Sequence, residues 1–357
     1  MISRGAIAIA AAAFAAGACA QVAPPPLPPA PIARAQADSL AALPGWDDED
    51  HVAALRAVQA ACVAGRAPDL AAVCNAAAAL DFLDEAGARA FLEANFRAIP
   101  VAAAGRLTGY FMPIYEARSA PSEEFAAPVR PRPPDLPPQD FSPAAHAPYA
   151  DRAAIKARST ADALAWMRPE DLFFMQIQGT GVLDFPDGER EKAVFAGDNG
   201  APFVGVAQPM RARGLISDQG GSADAIHAWL AQHRGPDAEA IMALDPRYVF
   251  FSLTGDDGRD PFGAAGQRLL AGRSVAVDPA WHPMGELLWL DAEAPALAGA
   301  FPSYRRLAVA LDTGGAIKGQ VRADLYLGRG PAAGLEAGRV RHQLTLYRLA
   351  PRRRDDE

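Results

Sequence analysis

The chain has 357 residues, half of them apolar and 21% charged, enough for about two domains with real cores. Its 34 basic and 42 acidic residues leave a net charge of -8, which excludes a general polyanion binder, so no nucleic-acid partner is expected. Three cysteines exclude a disulfide scaffold or a four-thiolate zinc site, and the six histidines show no metal-ligand spacing; neither metal nor cofactor is expected.

Met1 to Arg4 brings one positive charge, residues 6–16 are an unbroken apolar run, and Cys19-Ala20-Gln21 follows. These are the parts of an export signal over 1–20, too short to span a membrane. Two cleavages are open. One falls after Ala20; the other, before Cys19, would release a cysteine for lipidation, although the usual leucine upstream is missing. Export makes Cys62 and Cys74, twelve positions apart, either a disulfide or two small buried hydrophobes.

Residues 21–41 read as an extended proline and alanine tether, and the barrel-forming part starts at 42. The acids Asp47, Asp48, Glu49 and Asp50 suit the first turn of a helix whose apolar stripe is Val52, Leu55, Ala57, Val58 and Ala61. A second helix is predicted over 81–96, burying Phe82, Leu83, Ala90, Phe91 and Phe96. Residues 107–112 read as a strand stopped by Pro113, with Tyr110 and Phe111 in the core, and 126–143 as a proline-rich surface excursion. The apolar runs 173–178 and 182–185, either side of Gly179-Thr180-Gly181, predict a β-hairpin. Ser222 caps a helix with Ile226, Trp229 and Leu230 on one face. Strands follow at 248–253, 273–277, 286–290, 306–311 and 342–349, so the last hundred residues predict a small all-β barrel, with a charged tail at 351–357.

The chemistry concentrates in Asp312-Thr313-Gly314-Gly315-Ala316-Ile317-Lys318-Gly319, which runs on to Arg322-Ala323-Asp324-Leu325-Tyr326. Asp312 and Asp324 border strands, as does Asp278 before Pro279. Three carboxylates at strand ends either converge on one barrel mouth or each cap a turn. An aspartic protease needs a second Asp-Thr-Gly or Asp-Ser-Gly, which is missing, and the lysine stands in the wrong order for a phosphate-binding loop. No Gly-x-Ser-x-Gly elbow occurs. Chemistry is therefore expected to run on carboxylates without a metal.

These residues, with Thr108-Gly109-Tyr110-Phe111-Met112-Pro113, Met175-Gln176-Ile177-Gln178-Gly179, Phe195-Ala196-Gly197-Asp198-Asn199-Gly200 and Val275-Ala276-Val277-Asp278-Pro279, resemble the membrane-bound lytic murein transglycosylase A family, from about Leu107 to Leu349. The resemblance implies a mainly β fold: a double-psi β-barrel with flanking N-terminal helices, built from 42–110 and 248–350, and a second, glycan-binding β-rich domain inserted over 111–247. It implies a lytic transglycosylase that cuts the β-1,4 bond between N-acetylmuramic acid and N-acetylglucosamine of peptidoglycan and leaves 1,6-anhydromuramyl ends. Carried over by motif, Asp324 is the catalytic acid and base, with Asp312 and Asp278 supporting it, by raising its pKa or by pinning loops. Arg322 and Ala323 stand where some members carry aromatic and histidine residues. Gln176, Gln178, Gly179 and Lys318 become the expected contacts to the glycan. The implied setting is the periplasm, with an outer-membrane lipid anchor if Cys19 is modified, and a monomer. The competing readings are an expansin-like wall protein that binds glycan without cutting it, and an envelope scaffold.

Overall fold

The computed structural model describes residues 39–352 apart from 65–67, 81–83, 138–148, 218–221 and 295–300. The export signal, Cys19, nearly all of the tether, most of the tail, Phe82 and Leu83 lie outside the described residues. Among the described residues no helix is long and apolar enough to cross a membrane.

In chain order the elements begin with α1 (His51–Ala64), α2 (Ala71–Ala78) and α3 (Glu85–Asn95), then β1 (Phe96–Pro100), β2 (Gly105–Met112), β3 (Ile114–Glu116) and β4 (Ala127–Val129). Next come α4 (Arg152–Lys156), β5 (Ala165–Met167), α5 (Pro169–Gln178), β6 (Thr180–Asp184) and β7 (Arg190–Asp198). After α6 (Ala207–Ala212), α7 (Ala223–Gln232) and α8 (Pro236–Met242) the chain is mostly β: β8 (Val249–Gly255), β9 (Ser274–Val277), β10 (Leu287–Glu293), β11 (Ser303–Thr313) and β12 (Arg322–Arg329). It closes with α9 (Gly330–Ala337) and β13 (Arg341–Pro351).

The architecture is mainly β, as expected. Six strands close on themselves in the order β2, β12, β9, β11, β10, β13 and back to β2, and β1 pairs with the outer end of β13. Closure depends on the length of β13: its first residues pair with β2, its middle with β10 and its last with β1. A closed ring leaves no open edge along its circumference. Leu107, Trp289, Leu311, Leu325 and Tyr326, on the two faces of its strands, are all buried in one hydrophobic core shared with the N-terminal helices.

The acidic cluster at 47–50 divides its labour. Asp50 Oδ1 accepts the Ala53 N–H at 2.8 Å and caps α1. Glu49 is buried and pairs with Arg273, while also accepting the Leu307 N–H at 2.6 Å, so it fastens the helix entry to β11. A disulfide joins Cys62 of α1 to Cys74 of α2.

One expectation is overturned. Residues 173–178 form the end of helix α5 and not a strand. Pro169 stands in its first turn and Gly179, at φ 78°, ends it in the left-handed region that a side chain disfavours. Leu172, Phe173, Phe174 and Met175 are all buried, and a helix buried all round reads in sequence like a buried strand. The true hairpin is β6 with β7, turning at Pro186-Asp187-Gly188. β8 pairs with β7, in a four-stranded sheet ordered β3, β6, β7, β8, and does not enter the ring.

Candidate active site

Along β2 the side chains alternate. Phe111 packs on Gly334 of α9, and a Cβ on Gly109 would meet Ala337 and Val340. That face looks outward to α9, so Thr108 and Tyr110 turn to the inside of the ring. Strand register then extends the row: Thr108 of β2 stands opposite Asp324 of β12, Asp324 opposite Ala276 of β9, and Ala276 opposite Asp312 of β11. Both carboxylates therefore share one face, with an alanine methyl between them. Their backbones are two strand spacings, ~10 Å, apart.

Asp324 is half-buried. The Thr108 hydroxyl donates to its Oδ1 at 2.5 Å, and Arg322 donates to the Thr108 oxygen at 2.8 Å. Burial pushes the Asp324 carboxyl above the ordinary carboxylate range, against the Thr108 hydrogen bond and the Arg322 charge, which favour the ionised form.

Asp312 is held at both oxygens: the Tyr110 hydroxyl donates to Oδ2 at 2.8 Å and the Ala264 N–H to Oδ1 at 3.0 Å. β2 and β11 lie opposite each other in the ring of six, so the Tyr110 contact crosses it. The Ala264 contact needs Gly263, because a Cβ there would stand 2.4 Å from the Leu311 carbonyl oxygen. Burial raises the Asp312 pKa, and the charge of Asp324 raises it further. The Tyr110 phenol is pushed up by burial first and then by both carboxylates.

Asp278 lies off this row and is buried. Its Oδ2 accepts the Gly319 N–H at 2.8 Å and its Oδ1 the Ala280 N–H at 3.2 Å, so it ties the loop after β11 to the turn after β9. Lys318 is exposed, with Nζ 3.9 Å from Asp278.

Gln176, expected as a sugar contact, is corrected: it is buried, its Oε1 accepts from Arg152 at 2.7 Å and its Nε2 donates to the Val249 carbonyl at 3.3 Å. The same guanidinium donates to the backbone oxygens of Asp245 and Arg247. Gln176 therefore completes a buried charge's hydrogen bonds and is closed off from solvent. Gln178 is half-buried and accepts the Phe111 N–H at 3.3 Å, tying α5 to β2, while Gly179 faces open space. Arg247, paired with Asp198 at 2.7 Å, lies 3.6 Å from where a Cβ on Gly315 would stand. Among the described residues no group of three or more His, Cys, Asp or Glu side chains could hold a metal ion.

Sequence reasoning missed Thr108, and it read Tyr110 as core alone. The signal was available, since a strand puts residues 108 and 110 on one face; their target, 202 or more positions away, was not.

Comparison with known proteins gives a consistent picture. Residues 106–252 match the MltA specific insert domain and residues 273–350 the 3D domain. A membrane-bound lytic murein transglycosylase A of Vibrio cholerae is 32% identical over 249 residues, which are 68% of this chain and 64% of that relative's length. The crystal structure of a membrane-bound lytic murein transglycosylase from Agrobacterium tumefaciens superimposes with a TM-score of 0.75 at 30% identity, covering 88% of this chain and 96% of that one. The structure of Escherichia coli MltA with bound chitohexaose gives a TM-score of 0.67 at 27% identity, covering 85% of this chain and 90% of that one.

Proposed function

We propose that this chain, which belongs to the membrane-bound lytic murein transglycosylase A family, cleaves the β-1,4 bond between N-acetylmuramic acid and N-acetylglucosamine in peptidoglycan and leaves 1,6-anhydromuramyl ends. The observation that carries this reading is the setting of Asp324: a recessed carboxyl with a raised pKa, one oxygen clamped by Thr108, on the inward face of a closed ring.

A glycosidic oxygen leaves only when protonated. With Oδ1 occupied by the Thr108 hydrogen, the acidic proton of Asp324 resides on Oδ2 and passes to the leaving oxygen as the bond from C1 breaks. The new carboxylate is stabilised by Thr108 and by the Arg322 charge, and it lies beside the positive charge developing at the anomeric carbon. The muramyl C6 hydroxyl then attacks C1 and returns its proton to Asp324, which restores the acid. An internal nucleophile brings a high effective concentration, so neither a protein nucleophile nor a bound water is required.

Asp312 suits neither of those roles. Both its oxygens are committed, Oδ2 to the Tyr110 hydroxyl and Oδ1 to the Ala264 N–H. We assign it, with Tyr110, to holding the face of the row. The setting proposed is the periplasmic side of the envelope, as an exported monomer, with a lipid anchor if Cys19 is modified.

Digestion of purified sacculi with mass spectrometry of the released muropeptides tests the proposal. Anhydro ends are expected from the parent and none from Asp324→Asn, which still sediments with sacculi. Reducing ends would make the protein a hydrolase. Binding without release, in the parent, would make it an expansin-like module.

A further inference from the structure

Two loops meet at the far end of β9. One is the turn that begins at Asp278; the other, residues 314–321, joins β11 to β12 and so leads directly into Arg322 and Asp324. Asp278 fastens them with its carboxylate on the Gly319 N–H at 2.8 Å. His282, buried at 1% exposure, fastens them a second time. Its Nε2 lies 2.7 Å from the Gln320 carbonyl, which can only accept, so that nitrogen carries hydrogen; its Nδ1 stands 2.6 Å from the Glu286 carboxylate, itself paired with Arg348.

What this base presents to solvent is specific. The N–H groups of Trp281 and His282 both donate to the Asp278 carbonyl at 3.0 Å, a tight turn that sends His282 inward and leaves Trp281 52% exposed. On the partner loop Ile317 is buried and Lys318 beside it points out, its side chain 64% exposed. A large exposed aromatic on a well-fastened loop stands out, because the other exposed aromatic among the described residues, Phe262, is covered on one side by the Arg268 guanidinium. An indole face suits the apolar face of a sugar ring, and an ammonium suits a carboxylate.

We infer that Trp281 and Lys318 form a recognition platform for a carboxylate-bearing muramyl residue: Trp281 stacks on a sugar ring, Lys318 meets the carboxylate of its lactyl group or stem peptide, and Asp278 and His282 are the positioning residues that hold the two loops together. This rests on the reading of the chain as a peptidoglycan-cleaving enzyme and adds the part of the substrate that is read.

The test is calorimetric binding by the full chain carrying Asp324→Asn, so that glycan is not consumed. Three probes separate the sources of charge: glycan oligomers with stem peptides, the same oligomers stripped by an amidase to free lactyl groups, and chitohexaose, which has neither. Adding Trp281→Ala is expected to weaken all three by about fivefold, and Trp281→Phe to restore most of the loss. Adding Lys318→Ala is expected to weaken only the carboxylate-bearing probes, by about threefold, an effect that fades in 0.5 M salt. Loss with the stripped glycan points to the lactyl carboxylate; loss with the peptide-bearing glycan alone points to the stem peptide. His282→Ala should produce both losses together, though neither side chain has been changed. Unaltered affinities in Trp281→Ala, or an equal loss on all probes in Lys318→Ala, would overturn the inference. Both residues are exposed, so their variants remain folded. The catalytic reading fails separately, if Asp324→Asn still releases anhydro ends.

Discussion

Replacing Thr108 by valine removes one hydroxyl and keeps the shape of the side chain. In the parent that hydroxyl donates to Asp324 Oδ1 and accepts from Arg322, so its loss withdraws a hydrogen bond from the ionised carboxyl and slackens the arginine. A hydrogen bond to a charged group contributes about 1.5–3 kcal/mol, and the half-buried position of Asp324 argues for the lower end. At 1.36 kcal/mol per pH unit, about 1.5 kcal/mol moves the protonation equilibrium by about one unit. The sign is fixed by which form loses support. Thr108 and Arg322 hold the Asp324 carboxyl down against burial, so the variant's acid stays protonated to higher pH. The alkaline limb of anhydromuropeptide release is thus expected to move up by about one pH unit. Release at the optimum should fall about tenfold, because the carboxylate formed during bond cleavage has lost its donor. The measurement is a pH profile of initial release from sacculi for parent and Thr108→Val, with melting temperatures as a control on folding. A limb that stays in place, or moves to lower pH, refutes the account of how this acid is tuned.

Asp312→Asn reports on linkage. The folded carboxyl titrates above the unfolded one, so the native chain binds more protons between the two pKa values and stability falls as pH rises through that window. The variant should therefore gain stability relative to the parent at pH 7, and urea titrations should show the gain shrinking as pH falls toward 4. A gain independent of pH would contradict this. Gln176→Ala strands the buried Arg152 guanidinium and should cost about 2 kcal/mol of stability while leaving KM for glycan unchanged; a KM effect at normal stability would return Gln176 to the sugar site. Opening the disulfide with Cys62→Ala and Cys74→Ala, twelve positions apart, should cost about 3 kcal/mol in denaturant unfolding and leave kcat alone, since it joins α1 to α2 away from the row; an altered kcat would tie these helices to the site.

The barrel was legible because its strands are apolar and separated by turns, and because Asp278, Asp312 and Asp324 mark strand ends in a recognisable order. Helix α5 was not, although its brackets, Pro169 and Gly179, were in plain view: an apolar run carries no period when every face is buried. The same burial hid the role of Gln176. Gln176 was expected at the glycan through the family motif, whereas its partner Arg152 lies 24 positions away and is itself nearly inaccessible. Thr108 shows the limit from the other side. No property of a threonine in a strand announces a carboxylate 216 positions later; only the parallel pairing of β2 with β12 supplies it.

That pairing also suits one carboxyl to the proposed double role of acid and base. Burial alone would give a good proton holder and a poor donor, since the carboxylate left behind would be unsolvated. Arg322 and Thr108 act in the opposite direction, and both are placed by the strand pair: Arg322 two residues before the acid on β12, Thr108 opposite it on β2. Because Arg322 reaches the carboxyl through the Thr108 oxygen, its charge is felt without a direct ion pair, which would lock the carboxylate in its ionised form. Arg322→Lys keeps the charge but loses the planar donor geometry toward Thr108. If the relay matters, this variant should lie between the parent and Arg322→Gln in the position of its alkaline limb; if charge alone matters, it should coincide with the parent.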